Sequence, residues 1–424
     1  MKNNKIYILI TTIVFAVSYG FAQDPGASSV LSWKDCVSLA SKNNPSLASS
    51  RYSLQSSKYS YYSSYNGLMP QVSLSHSYSD SSSSLPGTDN WQTAGSARLN
   101  LFNKSQIESI NSAKAFTSQS EASFRQASAN LRYNLLRAFY QLLFAQKKIE
   151  VSEIIMKMRQ DEAQLVSLRY DSGTEYKGNM QRAEAQLMQA KADLAQSLRD
   201  LRIAQRTMNQ QLGIDDFTVI SVTSTLNIQE PGELPKDEVS LLNNRPDIGY
   251  QAAVVRTSEI SLRQARSSTW PNLSANYSMA SQGQDEFSTG SPESSWGVSL
   301  SYPLFGSGPT ATYYAVETAK SNLEKAKQDL RTAMNGAILD IETAWSDFAQ
   351  AVDQAKVQTA LLESARTRND EANIRYDSGL MTYDNWEIIT SDRINQERQV
   401  IQAQFNALVA QAAWENTLGK QLEE

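Results

Sequence analysis

The chain has 424 residues and a formal net charge of −5 at pH 7, which comes from 39 basic and 44 acidic side chains. Nucleic acid binding needs a clustered basic surface, so this charge balance argues against nucleic acid as a partner. One cysteine, Cys36, and one histidine, His76, exclude an internal disulfide and a cysteine- or histidine-rich metal cluster. We therefore expect no metal site and no cofactor.

The first residues have the pattern of a secretory signal peptide. Lys2 and Lys5 supply a positive end, residues 6–17 form an apolar run, and residues 20–22 give a small-x-small cleavage site. The pattern predicts a signal peptide over residues 1–22 and export of the remainder. The alternative, an N-terminal membrane anchor, is disfavoured because the run is too short to cross a hydrocarbon core of ~30 Å.

Two helical patterns follow, over about residues 31–43 and residues 45–68. Cys36 lies in the first of them and well past the predicted cleavage site, so it cannot be a first mature residue that carries a lipid anchor. Its predicted role is that of a small buried apolar residue. The second pattern is rich in serine and tyrosine, and the stretch 67–70 ends it with a glycine and a proline.

In four later stretches apolar residues recur at every second position and alternate with small polar residues, as in a strand with one apolar and one polar face. Their apolar positions are Val72, Leu74, His76 and Tyr78; Ala97, Leu99 and Leu101; Leu273, Ala275, Tyr277 and Met279; and Trp296, Val298, Leu300, Tyr302 and Leu304. Strands of about ten residues are long enough to cross a bilayer when tilted. A soluble hairpin packed on a core would show the same alternation, but the export signal and the aromatic residues near the strand ends favour a membrane sheet. His76 is then a tolerated residue at the rim rather than a catalyst.

Four strands cannot close a barrel alone, because an open sheet in lipid leaves unpaired backbone groups at both edges. The barrel must therefore be shared among chains. Three chains would give twelve strands, which lies within the bacterial range, although the residues alone do not establish the number three.

Most of the remaining chain is predicted to be helical. Residues 103–171 and 309–377 lack an interior proline and predict rods of roughly 100 Å at ~1.5 Å per residue. Shorter helices over about residues 176–212 and 383–418 return antiparallel to them. The predicted fold class is mainly α with a small β part, made of long antiparallel helical hairpins and four amphipathic strands.

The phrase Arg-Tyr-Asp-Ser-Gly occurs at residues 169–173 and again at 375–379. Each copy lies between two helical patterns, so its glycine marks the point where one helix stops and the chain reverses. Other pairs recur in the same order: Leu212-Gly213 with Leu418-Gly419, Pro45 with Pro246, and Pro70 with Pro271. We predict one duplicated module, with residues 23–233 and 234–424 as two copies that interleave into one body.

Several stretches resemble the TolC-type outer-membrane efflux family: Asn244-Arg245-Pro246-Asp247-Ile248, Trp270-Pro271-Asn272-Leu273-Ser274, Tyr302-Pro303-Leu304-Phe305-Gly306-Ser307-Gly308 and the two Arg-Tyr-x-x-Gly tips. The resemblance covers essentially the whole mature chain. It implies a homotrimer with a twelve-stranded barrel in outer-membrane lipid of a Gram-negative cell, continued by a helical tunnel through the periplasm. It also implies a periplasmic adaptor (a membrane fusion protein) and an inner-membrane transporter as partners. The residues that would line the tunnel do not specify the cargo.

The same resemblance implies roles for residues at the tips. Ser172, Gly173 and Thr174, with Ser378, Gly379 and Leu380, match the turns that contact the adaptor in the family, although both glycines could act only as helix caps.

The resemblance also implies a gate beside these tips. Tyr376 matches the gate tyrosine of the family, and Asn179 falls where members often have an aspartate partner. Met381 stands where some members place an arginine. Asn385 and Ile388 replace acids of a cation-sensitive ring, although Asp384 and Glu387 lie beside them and could supply charge in a different register. We expect a gate held by Tyr376, Asn179 and tip packing that is less sensitive to divalent cations than an acid-ringed one. The alternative is that Tyr376 only packs between helices.

Two other classes of protein fit the residues less well than a channel. An exported hydrolase is disfavoured because the chain has no G-x-S-x-G elbow, no H-E-x-x-H motif and a single histidine, so we expect no enzymatic activity. A periplasmic coiled-coil adaptor or scaffold would explain the helices, but it would not explain four amphipathic strands of bilayer length.

Overall fold

The computed structural model describes residues 29–79, 90–223, 228–234, 241–283, 291–303 and 308–422, and the predicted signal peptide lies outside these ranges. The helices are α1 Trp33–Asn43, α2 Pro45–Ser64, α3 Lys104–Asp171, α4 Lys177–Leu212, α5 Pro246–Ser267, α6 Pro309–Asp377 and α7 Tyr383–Thr417. The strands are β1 Ser29–Leu31, β2 Gln71–Ser79, β3 Asn90–Asn103, β4 Ile220–Val222, β5 Asn272–Gly283 and β6 Glu293–Ser301.

The long rods that the sequence predicts are α3, with 68 residues, and α6, with 69 residues, so the mainly helical fold class is confirmed. The start of α3 is fixed by Asn103, whose side-chain oxygen accepts a hydrogen bond from the Gln106 backbone N–H at 3.0 Å. The partners α4 and α7 return from the tips as expected. Among the described residues, none of the helices has an apolar stretch long enough to span a bilayer.

The four predicted strands form one antiparallel sheet in the order β2-β3-β5-β6. Strand β3 bends at a bulge between Asn100 and Phe102. Strand β6 ends at Ser301, so Tyr302 lies beyond it, and Leu304 falls outside the described residues. Within the described part of the chain, β2 and β6 each have one edge without a neighbouring strand.

The register of the sheet separates an apolar face from a polar face, as the alternation predicts. Val72, Ala97, Tyr277 and Trp296 form one row across all four strands. Val72 is 79% exposed and Trp296 is 81% exposed, and Leu74, Met279, Val298 and Leu300 extend the same face. A contiguous exposed apolar surface of this kind marks contact with another apolar phase or partner.

The opposite face of the sheet carries a row of serines. Ser73, Ser96, Ser278 and Ser295 lie side by side across the four strands. The hydroxyl oxygens of Ser73 and Ser96 are 2.7 Å apart, and those of Ser278 and Ser295 are 2.8 Å apart. This face is therefore suited to contact with water.

The helices next to the sheet repeat the order of its strands. α2 packs on α3, α3 on α5, and α5 on α6. This follows from connectivity, because α2 leads through a 3₁₀ turn, Tyr65–Leu68, towards β2, and α6 follows β6. Farther from the sheet, α3 packs on α4 and α7, and α7 packs on α6.

The largest hydrophobic core lies where α1, α3, α4 and the short strands meet. Strand β1 pairs in parallel with β4 and covers this core. Cys36 is fully buried in it, next to residues such as Leu135 and Met208, which confirms its predicted apolar role.

The repeated Leu-Gly pairs close the two halves of the chain with equivalent contacts. Gly213 and Gly419 have φ angles of 72° and 77°, which favour glycine. A Cβ atom on Gly213 would lie 2.3 Å from the carbonyl oxygen of Asn43, and one on Gly419 would lie 2.5 Å from the carbonyl oxygen of Asn244. The boundary between modules at residues 233 and 234 stays a prediction.

A second pair of equivalent contacts uses different side chains in the two halves. Asn44 donates from its amide to the carbonyl oxygen of Gln211 at 2.9 Å. Arg245 donates to the carbonyl oxygen of Thr417 at 3.4 Å, and also to both carboxylate oxygens of Asp247. The helix end is thus held by an amide in one half and by a guanidinium in the other.

Candidate functional site at the helical tips

Both hairpin tips end their first helix with the same backbone motif. The N–H of Thr174 donates to the carbonyl of Arg169 at 2.9 Å, and the N–H of Leu380 donates to that of Arg375 at 2.8 Å. The intervening Gly173 and Gly379 have φ angles of 76° and 74°. This is the glycine-terminated helix end that the repeated phrase predicts.

The predicted tip residues all lie at the surface: Ser172, Gly173, Thr174, Ser378, Gly379 and Leu380. Leu380 is 80% exposed, and a Cβ atom on either glycine would meet no other atom within 4 Å. The tips are thus free to accept a partner, while their glycines also cap the helices.

Tyr376 is the largest fully buried side chain near the tips, with 1% of its surface exposed. Its ring stacks on Trp386 with centroids 4.2 Å apart and an interplanar angle of 8°. The Arg169 guanidinium lies 4.1 Å from the ring centroid, and its Nη2 donates to the Tyr376 carbonyl oxygen at 2.6 Å. The contact joins the α3–α4 hairpin to the α6–α7 hairpin through a cation–π interaction and a charged hydrogen bond.

The hydroxyl group of Tyr376 donates to Oε2 of Glu175 at 3.1 Å. Burial, and after it the Glu175 carboxylate, raises the pKa of Tyr376 well above its usual value. The phenol therefore keeps its proton and remains a hydrogen-bond donor at physiological pH.

In the structure the phenol hydrogen bond of Tyr376 goes to Glu175 and not to Asn179, and the gate role of Tyr376 and Asn179 stays a prediction. Asn179 instead donates from Nδ2 to the other oxygen, Oε1, of Glu175 at 2.7 Å. The sequence did not point to Glu175, because it lies in the turn before α4, where no helical period marks it.

The other two predicted gate positions differ in burial. Met381 is half-buried and packs on the aromatic cluster that contains Tyr376, Tyr383 and Trp386. Asn385 is exposed on the first turn of α7. Among the described residues, no group of three or more metal-ligating side chains lies close enough together to hold an ion.

A buried polar cluster next to the aromatic residues ties α4 and α7 together. Glu387 is 6% exposed and accepts hydrogen bonds from Arg182 at 3.0 Å, Gln186 at 2.6 Å and Ser391 at 2.7 Å. Burial, followed by the charge of Glu387, raises the pKa of Tyr383 to about 12. Fully partnered buried polar groups of this kind hold neighbouring helices in a defined arrangement.

The same cluster extends onto α3 through Arg159, which donates to Ser391 at 2.8 Å and to Glu162 at 2.8 Å. Burial raises the pKa of Glu162, although Arg159 opposes the shift. The two hairpins are therefore joined both by the contacts of Tyr376 and by this buried polar cluster. Its groups act as a lock between helices, because they hydrogen-bond to one another across α3, α4 and α7.

Comparison with known proteins agrees with this architecture. The family model for outer membrane efflux proteins matches residues 36–214 and 239–420. The Toxin and drug export protein A of Aggregatibacter actinomycetemcomitans is 20% identical over 285 residues, which are 66% of this chain and 62% of that protein. The chain thus spans less than two thirds of the length of this curated relative.

Solved structures show the same fold at low sequence identity. The CmeC outer membrane channel of Campylobacter jejuni matches with a TM-score of 0.80 and 16% identity, over 92% of this chain and 87% of that one. The open state of the MtrE outer membrane channel of Neisseria gonorrhoeae matches with a TM-score of 0.80 and 17% identity, over 92% and 89%. With both halves matched by the family model, the chain belongs to the outer membrane efflux protein family.

Proposed function

We propose that the chain forms the outer-membrane channel of a tripartite efflux or secretion system in a Gram-negative cell. In this role it gives cargo a passive exit duct across the periplasm and the outer membrane and catalyses no reaction. The observation that carries the proposal is the pairing of an exposed apolar sheet face at one end with exposed, glycine-capped helical tips at the other.

The sheet supports insertion into outer-membrane lipid. Its apolar row includes Trp296 and Val72, whose exposure would be costly in water, and its serine row is suited to a wet lumen. The free edges of β2 and β6 need partners in lipid, because unpaired backbone groups there cost several kcal/mol each. A homotrimer satisfies both edges and forms the twelve-stranded barrel and the helical tunnel.

The tips support docking of a periplasmic adaptor, which would connect the duct to an inner-membrane transporter. Exposed side chains surround both turns, and Leu380 and Tyr176 are 80% and 81% exposed. An adaptor that covers them would remove this apolar surface from water.

The contacts of Tyr376 support a gate at the same end of the molecule. Its bonds to Glu175 and Arg169 cross from one hairpin to the other, so opening by separation of the hairpins must break them. Asn179 holds the Glu175 carboxylate in place, and Met381 packs against the aromatic cluster that contains Tyr376. With the neutral Asn385 on the exposed turn, this gate should respond weakly to divalent cations.

Membrane fractionation and planar bilayers test the proposal together. The mature chain should remain in outer membranes after carbonate extraction, migrate as a heat-modifiable trimer and conduct ions in a planar bilayer. A chain that carbonate releases as a soluble monomer and that gives no conductance would instead support a periplasmic adaptor or scaffold.

A further inference from the structure

The polar face of the sheet carries a basic side chain, Arg98 on β3. Its neighbours in register are Gln71 on β2, Asn276 on β5 and, one strand farther, Gly297 on β6. The Lys, Arg, Asp and Glu residues in the described strands β2, β3, β5 and β6 are Arg98 and Glu293. The serine-lined face therefore has a fixed positive charge at the level of Arg98.

Arg98 projects from this face without an acidic partner. Ser96 lies two positions earlier in the serine row, so the alternation of the strand puts Arg98 on the same face. Arg98 is exposed, and in the described part of the chain it forms no ion pair with an acid. A Cβ atom on Gly297 would lie 3.3 Å from Oδ1 of Asn276, so the Asn276 side chain leans towards β6 and away from Arg98. The charge of Arg98 is thus left to act on whatever lies in front of the sheet.

The acidic residue of the sheet lies at a different height. Asn103, where β3 meets α3, is roughly 16 Å from Arg98 along the strand, at ~3.3 Å per residue. Glu293 is in register with Ala280 and Ala94, and Ala94 lies roughly 13 Å from Arg98 in the opposite direction, away from the helices. This separation exceeds the Debye length of ~8 Å in physiological salt, so Glu293 does not cancel the charge of Arg98.

In a trimeric barrel three copies of Arg98 would lie at one height. Twelve strands ~4.8 Å apart and tilted by about 40° form a barrel whose axis lies roughly 12 Å from the backbone. An extended arginine side chain covers a large part of this distance, so each guanidinium lies within a Debye length of ~8 Å of the axis. Lipid outside the barrel has a low dielectric constant and concentrates the field in the water of the lumen.

We propose that three Arg98 side chains form a positive ring in the barrel lumen, which favours anions and cargo with carboxylate or phosphate groups over cations. The inference rests on the proposed function, because the polar face lines a lumen only in a closed barrel. Rings of basic side chains give pores a preference for anions. A guanidinium can also donate two hydrogen bonds to a carboxylate or phosphate, and the amides of Gln71 and Asn276 offer further donors at the same height.

A cysteine at Ser96 would report the electrical potential beside the ring. Ser96 lies roughly 7 Å from Arg98 along β3. In outer membranes Ser96→Cys is treated with a negatively or a positively charged methanethiosulfonate of similar size, and the ratio of the two rates is divided by that of a free thiol. The normalised ratio should exceed one. Adding Arg98→Gln should lower it roughly fivefold, the change expected for the loss of three charges at this distance, and Arg98→Lys should preserve it.

Two controls separate charge from structure. Ser172→Cys, at the exposed tip far from the sheet, should give the same ratio with and without Arg98→Gln. The Debye length is ~3 Å in ~1 M salt, so the effect of Arg98→Gln at Ser96→Cys should disappear there. Altered access through a change in packing would persist in high salt. Cys36 is buried and can stay in place, with the unmodified chain giving its background rate.

A gain of charge tests the ring in the opposite direction. Gln71→Arg adds a guanidinium to the same row on β2 and should raise the normalised ratio at Ser96→Cys. This variant decides the test if Arg98→Gln fails to assemble.

Val72→Cys separates failure of the inference from failure of the proposed function. Val72 lies in the apolar row and is 79% exposed in the single chain, so it should react with neither charged reagent when that row faces lipid. If Val72→Cys is protected and Ser96→Cys reacts, but the charge substitutions leave the ratio unchanged or change it equally in high salt, the positive ring is wrong and the channel stands. If Val72→Cys reacts as fast as Ser96→Cys, or Ser96→Cys does not react, the polar face does not line a wet lumen and both proposals fail.

Discussion

Arg169 and Tyr376 come from different copies of the repeated phrase and contact each other, with the guanidinium 4.1 Å from the ring centroid. In the reciprocal pair, Arg375 is exposed and Tyr170 is only half-buried. The glycine therefore forms the turn in both copies of the phrase. The cation–π contact, however, joins the arginine of the first copy to the tyrosine of the second. This asymmetry makes Tyr170 a natural control for Tyr376.

Tyr376→Phe should weaken the closed state of the channel. It removes the phenol hydrogen bond to Glu175 and keeps the ring between Arg169 and Trp386. A hydrogen bond to a charged group contributes about 1.5–3 kcal/mol, so we expect open probability in planar bilayers to rise at least about tenfold. Tyr170→Phe should leave the traces unchanged. Equal traces for Tyr376→Phe and the unmodified channel would place closure elsewhere.

Asn385→Asp should increase block of the channel by divalent cations. Asn385 is exposed on the first turn of α7, close in sequence to the exposed Asp384. In a trimer the substitution would add one carboxylate per chain at the periplasmic end, and carboxylate oxygens are the ligands that Mg²⁺ and Ca²⁺ prefer. The measurement is single-channel conductance against MgCl₂ concentration, with Asn395→Asp, an exposed asparagine farther along α7, as the control. No difference between the two variants would argue against a cation-sensitive position at 385.

The parts of the fold that depend on local pattern were predictable. The rods α3 and α6 and the strands follow from hydrophobic period, and the turns at Gly173 and Gly379 follow from the need for positive φ. The aligned apolar row of the sheet follows from the same period. These features are set by neighbours in sequence.

The pairing of Tyr376 with Glu175 was not predictable, because the two residues are 201 positions apart and belong to different hairpins. The repeat gives no guide either. At its offset of 206 residues (375 − 169), Met381 is the equivalent of Glu175, and Met180 is the equivalent of Trp386. The gate contacts thus depend on how the two hairpins pack, which a local pattern does not encode.

Gly379→Trp should abolish export while leaving the trimer intact. The glycine has a φ angle of 74° and open space around it, so a tryptophan would project from the tip into any docked adaptor. Gly379→Ala introduces the same backbone strain without the bulk and should keep most export. Export of a reporter cargo and trimer migration on gels are measured for both. Normal export from Gly379→Trp would exclude a close interface at this turn.

Cys36 should make the protein less stable in alkali. Burial, and after it the charge of Asp35, raises the pKa of the Cys36 thiol to about 12, whereas an unfolded cysteine titrates near 8.5. The folded state therefore keeps the proton that the unfolded state loses, and stability is full below pH ~8.5 and falls as pH rises towards 12.

Between pH 7.5 and 9.5 this single group should remove about 1.4 kcal/mol from the free energy of unfolding. Denaturant unfolding in detergent measures the change, and Cys36→Ala should lack this part of the decline while being less stable at both pH values. An equal decline in the two proteins would show that the thiol does not keep its proton in the folded state.

Gly213→Ala and Gly419→Ala should destabilise the protein more than Gly173→Ala. All three glycines have φ angles between 72° and 77°, so each substitution carries the same backbone strain of about 1–2 kcal/mol. At Gly213 and Gly419 the added methyl group would also meet a backbone carbonyl oxygen, whereas at Gly173 it enters open space. The helix end must then move away from Asn43 or Asn244, which adds roughly 1–3 kcal/mol. Thermal unfolding of the three variants measures the difference, and equal midpoints would mean that these close approaches do not stabilise the fold.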